Sequence, residues 1–213
     1  MGNTKAIGVA YSDQDLDGST ITNPNFVLSG LAAASTPLAG SDTLPVVQGN
    51  TTKRATVESL FTALNYGMFQ DNTTQTNGGA TTANVMTYNT TDFANGISVV
   101  SNSRLTVSRT GVYNVQFSSQ FSRAGGAGFS TIDVWLSKNG SNVAETNTQL
   151  NVPQSGGKAV AAWNYLIQAT AGDYFELYWA SSDTAVEMWF SAAGTNPTRP
   201  VTPSVIVTIT QVG

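Results

Sequence analysis

Three aspartates near the start of the sequence have the spacing of calcium ligands. Asp13, Asp15 and Asp17 alternate along the chain, and Gly18 follows them directly. In the first half of an EF-hand loop, alternate carboxylates reach one cation and a glycine allows a sharp turn. The twelfth position of such a loop supplies a bidentate glutamate, but Pro24 stands there in this chain. We therefore expect a solvated polar turn between two strands, with calcium binding as the alternative.

The other carboxylates considered for catalysis are scattered and form no discernible pair in the sequence. The chain has no histidine and no cysteine, which excludes His-dependent triads, thiolate nucleophiles and imidazole or thiolate metal ligands. We expect no enzyme, no cofactor and no metal. A two-carboxylate glycosidase is the enzymatic alternative, because its residues need only converge in space. The carboxylates are Asp92, Asp133, Asp173, Glu176, Asp183 and Glu187.

Two of these carboxylates lie close to tryptophans in the sequence. Glu176 is near Trp179, and Glu187 is near Trp189. A tryptophan that stacks on a sugar ring, with a carboxylate that accepts hydrogen bonds from its hydroxyls, is one way to bind a host-surface glycan. Packing of these side chains within a sheet is the interpretation that we prefer.

The composition favours a protein that assembles with other proteins. Charged residues are 10% of the chain, against roughly 25% in an ordinary globular domain. With 9 basic residues and a net charge of −4, the chain has no basic cluster, so we expect no nucleic-acid partner. We also expect no membrane span, because no apolar run approaches ~20 residues. Neutral surfaces rich in Thr, Ser, Asn and Gln suit packing against copies of the same chain.

The first part of the chain, residues 1–65, is predicted to be an extended arm. It contains strand-forming stretches such as A-I-G-V-A-Y and L-P-V-V-Q, the second followed by a turn at Gly49-Asn50 and a further strand. One short helix is predicted over 57–64, with Thr56 as its cap. These residues include too few apolar side chains for an independent core, so the arm needs a partner to order it.

Residues 66–213 are predicted to form an all-β sandwich. Short apolar runs recur here between Gly, Asn and Asp, and helical periodicity is nearly absent. A strand count of this size is typical of two packed sheets. The predicted strands are 66–69, 84–88, 97–100, 103–108, 112–121, 129–137, 143–151, 158–169, 173–181, 185–191 and 204–212.

Two of these strands differ in their patterning. In strand 112–121, apolar Tyr113, Val115, Phe117 and Phe121 alternate with polar residues, which predicts one buried face. Strand 158–169 is apolar on both faces. Because only one face of a strand meets the core of a two-layer sandwich, the second face must be covered from outside. Another subunit is the expected cover, and an N-terminal segment of the same chain is the alternative. The interface candidates are Trp163, Tyr165, Leu166 and Val160.

Three short motifs resemble the TNF-like jelly roll, in particular the version found in the globular heads of the first complement component. They are G-V-Y-N-V-Q-F at 111–117, W-L-S-K-N-G at 135–140 and A-G-D-Y-F-E-L at 171–177. The resemblance covers roughly residues 66–213 and implies a homotrimer. It also implies that the sheet carrying 112–121, 158–169 and 204–212 faces the threefold axis.

Further phrases look like those of bacteriophage virion proteins, among them T-T-Q-T-N at 73–77, A-N-V-M-T-Y-N-T-T-D at 83–92, V-A-A-W-N at 160–164 and T-N-P-T-R-P at 195–200. This resemblance implies a structural protein made in the host cytoplasm and located on the virion. We expect a capsid cement or decoration trimer with the major capsid protein, or another virion protein, as its partner. A receptor-binding tail-fibre tip is the alternative. The docking candidates on the arm are Ile7, Val9, Tyr11, Val46 and Val47.

Overall fold

The computed structural model describes residues 36–61 and 64–213. Within these ranges the chain forms a short helix, α1 (Val57–Phe61), and strands joined by loops. The strands are β1 (Thr43–Gln48), β2 (Thr51–Thr56), β3 (Tyr66–Asp71), β4 (Gln75–Thr76), β5 (Asn84–Val85), β6 (Thr90–Asn95), β7 (Ile97–Val100), β8 (Arg104–Val107), β9 (Gly111–Arg123), β10 (Ser130–Lys138), β11 (Ser141–Asn142), β12 (Thr148–Val152), β13 (Lys158–Ala169), β14 (Tyr174–Ala180), β15 (Val186–Met188), β16 (Gly194–Thr195), β17 (Thr198–Arg199) and β18 (Val205–Gln211).

Strands β1 and β2 form the predicted antiparallel hairpin. Gly49 and Asn50 make its turn, each with a φ of 60°. Two left-handed residues in succession give a type I′ turn, whose twist matches that of the strands. The hydroxyl of Thr56 accepts a hydrogen bond from the Ser59 amide at 3.2 Å and caps α1 as expected. The predicted helix end at residue 64 is wrong, since Leu64 lies outside the helix and its carbonyl accepts from the Asn95 side chain at 2.9 Å.

The sandwich consists of two antiparallel sheets, which we call the front and back sheets. The front sheet has the order β7-β8-β14-β10-β12, with β5 on β14 and β11 on β10. The back sheet has the order β6-β3-β18-β9-β13, and β15 and β4 extend it beside β9. From β8 to β10, and again from β12 to β14, the chain crosses from the front sheet to the back sheet and returns. This alternation is a jelly roll, and the all-β sandwich is confirmed.

The inward side chains of both sheets form one core. On β9, Tyr113, Val115, Phe117 and Phe121 are buried while Asn114, Gln116 and Gln120 face the other way, as the alternation predicted. Trp179 of β14 is completely buried and meets Phe121 edge to face, with 5.4 Å between ring centroids. Burial of such aromatic area from both sheets supplies the main driving force for the fold.

Several strand bounds differ from the prediction for identifiable reasons. Strand β12 begins at Thr148 rather than 143, because Glu145 has a φ of 63° and breaks the extended conformation. Strand β6 was missed, since its sequence T-T-D-F-A-N is polar and turn-like, yet β3 pairs with it along its length. The paired segments β4 and β16–β17 were also missed. Strands β7 and β13 have the predicted bounds.

Asn65 belongs structurally with the sandwich, although the predicted boundary placed it in the arm. Its side chain is buried and donates to the Tyr113 hydroxyl at 2.9 Å. That hydroxyl in turn donates to the Arg109 carbonyl at 2.7 Å. Burial raises the pKa of Tyr113 above its ordinary value, so the ring remains a neutral donor. Asn65 therefore fixes the position of the chain where it enters β3.

The turn between β13 and β14 contains an aspartate, Asp173, whose pKa is strongly lowered. Asp173 accepts from the Thr170 amide at 2.7 Å and from Asn139 at 2.7 Å, and the Lys138 ammonium lies at 2.9 Å. The Thr170 amide first, then Asn139 and Lys138, lower its pKa to about 2. These interactions favour the ionised carboxylate of the folded chain.

We expect Asp173→Asn to be less stable than the parent by about 2 kcal/mol at pH 7. Because the folded pKa is lowered from 3.8 to about 2, this contribution is complete above about pH 4. It is lost as the pH falls toward 2, so the two proteins should converge there. Urea unfolding at pH 7 and at low pH measures the difference. Asp92→Asn is the control, since Asp92 is exposed and, within the described part of the chain, accepts a hydrogen bond from Gln70 alone. A difference independent of pH would contradict the ionic origin.

Candidate functional site

Some of the predicted site residues lie outside the described residues. These are the calcium-ligand candidates Asp13, Asp15 and Asp17 and the docking candidates Ile7, Val9 and Tyr11. The other two docking candidates are on β1. Val46 is half-buried, whereas Val47 is 76% exposed. Leu44 on the same strand is also exposed, so the hairpin presents apolar side chains to solvent.

The four interface candidates of β13 divide between its two faces. Val160 and Leu166 point away from the core and are 56% and 68% exposed. Trp163 and Tyr165 point toward the core, where Phe117 contacts Trp163 edge to face at 4.8 Å between ring centroids. The Tyr165 hydroxyl donates to the Thr146 carbonyl at 2.9 Å. The strand therefore has apolar side chains on both sides, and of the four candidates Val160 and Leu166 are the two open to a partner on the outer side.

The outer surface of the back sheet carries no charged side chain on its four main strands β3, β18, β9 and β13, except Lys158 at the start of β13. Its outward side chains, here named the uncharged face, are mostly half-buried or exposed. Charged side chains lie at its margins, namely Lys158 at the start of β13, Asp92 on β6 and Glu187 on β15. The uncharged face comprises Tyr66, Met68, Gln70, Val112, Asn114, Gln116, Ser118, Gln120, Val160, Ala162, Asn164, Leu166, Gln168, Ile206, Thr208 and Thr210.

The centre of this face is a row of directly paired residues. Thr208 of β18 lies between Met68 of β3 and Gln116 of β9, and Asn164 of β13 is paired to Gln116. Phe93 of β6 extends the row beyond Met68 and is 54% exposed. Depletion of charge together with exposed apolar groups is the composition found at the centre of protein interfaces.

The two tryptophans that the sequence offers for sugar binding both pack against other residues of the chain. Trp179 is in the core and presents no surface to a ligand, so the packing interpretation is confirmed there. Glu176 beside it is also buried and accepts from the Ser103 hydroxyl at 2.7 Å. The Lys158 ammonium lies 2.7 Å from the centroid of the Trp189 ring, which covers that face of the indole.

The scattered carboxylates mostly hold loops in place. Asp183 accepts from the Arg123 guanidinium at 2.6 Å, and Glu187 accepts from the Ser122 hydroxyl at 3.0 Å. Asp133 likewise accepts from the side chains of Asn147 and Gln149, both at 2.9 Å. It lines a concavity of about 460 Å³ on the outer surface of the front sheet, together with the side chain of Glu145.

This concavity, which we call the Trp135 concavity, was not predicted. Trp135 and Asp133 are both outward residues of β10, and Ala180 of β14 is paired with Asp133. The segment from Asn142 to Asn147 forms the opposite wall. Because the Ala180 side chain is small, it leaves room beside Trp135. The signal in the sequence was the alternation T-I-D-V-W, which places Asp133 and Trp135 on the solvent side of one strand.

Among residues 36–61 and 64–213, no group of three or more acidic side chains is placed to hold a metal ion. In the same ranges, no helix has the length and apolarity needed to cross a membrane.

No protein-family model matches this sequence, and no curated protein matches it. Among solved structures, the chain is similar to the crystal structure of murine APRIL at pH 8.5. The two share 7% sequence identity over 70% of this chain and 99% of that chain, with a TM-score of 0.44. At this identity no residue here takes a role from that protein, and the description of the fold rests on the strand order given above.

Proposed function

We propose that this protein is a structural component of a bacteriophage virion, a homotrimeric cement or decoration protein on the capsid surface. Residues 66–213 form its outward head, and residues 1–65 dock on the major capsid protein or another virion protein. The resemblance of several phrases to phage virion proteins supports the location. The TNF-like resemblance supports the number of subunits, and the low charge content supports assembly.

The uncharged face is the observation that carries the proposal. A sheet surface of this breadth on a monomer in water ordinarily includes charged residues, which keep it soluble and oppose association. Here the outward residues of β3, β9, β13 and β18 include none between the marginal Lys158 and Asp92. Val160 and Leu166 also expose apolar surface there. Packing of this face against another copy removes apolar area from water without burying an unpaired charge.

The hairpin β1–β2 supports a docking role for the arm. It exposes Leu44 and Val47, and its Lys53 and Arg54 are both exposed. A neighbouring protein can pair with the edge of such a hairpin through its backbone groups. Three arms on one trimer raise the effective concentration of each arm at the capsid, so that weak single contacts give firm attachment.

We expect the full-length protein to be a trimer in solution at micromolar concentration. Light scattering coupled to size exclusion measures the mass directly. The same protein quantified on purified particles should be present in hundreds of copies, the number expected of capsid decoration. A few dozen copies would favour the tail-fibre tip instead, and a well-folded monomer would contradict the assembly.

Deletion of residues 1–42 should abolish rebinding to particles stripped of the protein while the trimer persists. The deletion ends one residue before β1, so the described strands stay intact. Thermal melting and light scattering check the trimer, and sedimentation with stripped particles measures occupancy. A matched control is Phe129→Ala, which removes an exposed aromatic side chain of the head. If the truncated protein decorates particles at the occupancy of the full chain, docking lies in the retained hairpin β1–β2 or in the head, and the assignment of docking to residues 1–42 is wrong.

A further inference from the structure

The geometry points to a binding site for a neutral pyranose sugar in the Trp135 concavity of the front sheet. None of the carboxylate and tryptophan pairs considered from the sequence contributes to it. The inference goes beyond the virion role and does not depend on it, because the site belongs to one head and lies on the sheet opposite the uncharged face.

An indole ring is the apolar part of the site. Trp135 is half-buried, and Tyr178 stands directly opposite on β14 with its ring nearly parallel at 14° and 5.7 Å away. The Trp135 Nε1 donates to Asn142 Oδ1 at 2.9 Å, which fixes the orientation of the ring. Because the indole N–H already donates to Asn142, the part of Trp135 that a ligand can contact is the face of its ring. A pyranose presents a face of C–H groups that packs on such a surface.

Hydrogen-bonding groups surround this ring. Asp133 Oδ1 accepts from Asn147 and Gln149, both at 2.9 Å, and its Oδ2 takes no hydrogen bond from a described residue. The Glu145 carboxylate likewise accepts none within the described part of the chain, and it is exposed. The Asn142 amide retains its N–H donors after its oxygen is used by Trp135. Acceptors and a donor at the edge of an aromatic surface match the hydroxyl groups of a sugar.

The wall of the concavity is held in place before any ligand arrives. The Thr146 hydroxyl donates to the Val143 carbonyl at 2.8 Å and accepts from the Leu136 amide at 3.1 Å. From the core side, the Tyr165 hydroxyl holds the Thr146 carbonyl at 2.9 Å. The loop carrying Glu145 is thereby tied to β10 and β13. Such preorganisation lowers the entropy lost on binding.

Size and charge define the class of ligand. A volume of about 460 Å³ lies within the ~300–1,000 Å³ of ligand sites, which suits one or two sugar rings. Asp133 and Glu145 have no cationic partner among the residues that the structure describes, so these two carboxylates repel an acidic sugar or a phosphate. A quaternary ammonium ion is the main competitor, because it too is attracted to an aromatic face near carboxylates. It cannot use the directional amides of Asn142 and Asn147, whereas a sugar can.

Titration of the full-length protein with a panel of sugars tests the site. The panel is glucose, galactose, mannose and N-acetylglucosamine, each as a monosaccharide and as a linear tetrasaccharide, with glucuronic acid and choline as charged comparisons. Saturation-transfer NMR detects binding, and calorimetry measures the dissociation constant. We expect at least one neutral sugar to bind, and Trp135→Ala to weaken that binding at least about tenfold.

Two further variants separate recognition from folding. Glu145→Gln keeps the size of an exposed side chain and should weaken the sugar about fivefold with no change in melting temperature. Phe129→Ala removes an exposed aromatic residue of a different loop and should leave the affinity unchanged. The inference is overturned if no neutral sugar binds at about 10 mM. It is also overturned if choline binds in place of sugars, or if Trp135→Ala binds as the parent does. None of these outcomes bears on the trimer or on capsid docking.

Discussion

Replacing Arg123 with alanine should destabilise the folded chain by about 3–5 kcal/mol, the cost of removing one partner of a buried ion pair. The Arg123 side chain is 9% exposed, its Nε donates to Asp183 Oδ2 at 2.6 Å, and its Nη2 lies 2.6 Å from the same oxygen as an ion pair. Its Nη1 also donates to the carbonyls of Ala127 and Gly128, at 3.1 and 3.0 Å. The variant therefore leaves a partly buried carboxylate without its cation and frees two loop carbonyls. Urea unfolding measures the loss.

A double-mutant cycle separates the ion pair from the loop contacts. Asp183→Asn should cost less than Arg123→Ala, because the arginine still holds Ala127 and Gly128. The Ser130 hydroxyl first, and Arg123 further, lower the pKa of Asp183. Stability from this pair is therefore present at neutral pH and is lost as the pH falls through the lowered folded pKa. Arg123→Ala and the double variant should lose the same free energy of unfolding only if Arg123 and Asp183 act as one unit.

The sequence and the structure agree best where local patterning decides the outcome. The alternation in β9 predicted which of its side chains are buried, and β13 was predicted to the residue, because the period of a strand is visible in the chain itself. The predicted start of β12 was wrong, because nothing in the local amino-acid sequence indicates that the backbone of Glu145 is left-handed. Glutamate is not a residue that marks a turn.

Long-range partners could not be predicted in the same way. Arg123 and Asp183 are 60 residues apart, and neither position stands out locally. The Trp135 concavity likewise requires β14 beside β10 and the folding back of residues 142–147, which bring Ala180 and Glu145 to one place. Along the chain, the carboxylates nearest to tryptophans are those of Glu176, near Trp179, and Glu187, near Trp189. In a sheet, however, the neighbours of a tryptophan lie on adjacent strands, which a single sequence does not identify.

Thr208→Lys should convert the proposed trimer into monomers without unfolding the head. Thr208 is half-buried at the centre of the uncharged face, between Met68 and Gln116, with no acidic residue paired to it on either side. If this face is buried between subunits, each lysine places an unpaired charge in an apolar interface, which costs several kcal/mol per protomer. In the monomer the same ammonium reaches water at little cost. Light scattering at micromolar concentration measures the mass, and the melting of the isolated chain checks the fold.

The matched control is Thr106→Lys, an outward and half-buried threonine of β8 on the front sheet. It introduces the same charge by the same substitution on the opposite sheet, so any general effect of a lysine on a strand appears in both variants. We expect Thr106→Lys to remain trimeric. Dissociation only in Thr208→Lys assigns the interface to the back sheet. If Thr208→Lys stays trimeric while Thr106→Lys dissociates, the subunits meet through the front sheet, and the absence of charge on the back sheet then needs another explanation. The Trp135 concavity would in that case lie near the threefold axis, and a bound sugar would compete with assembly.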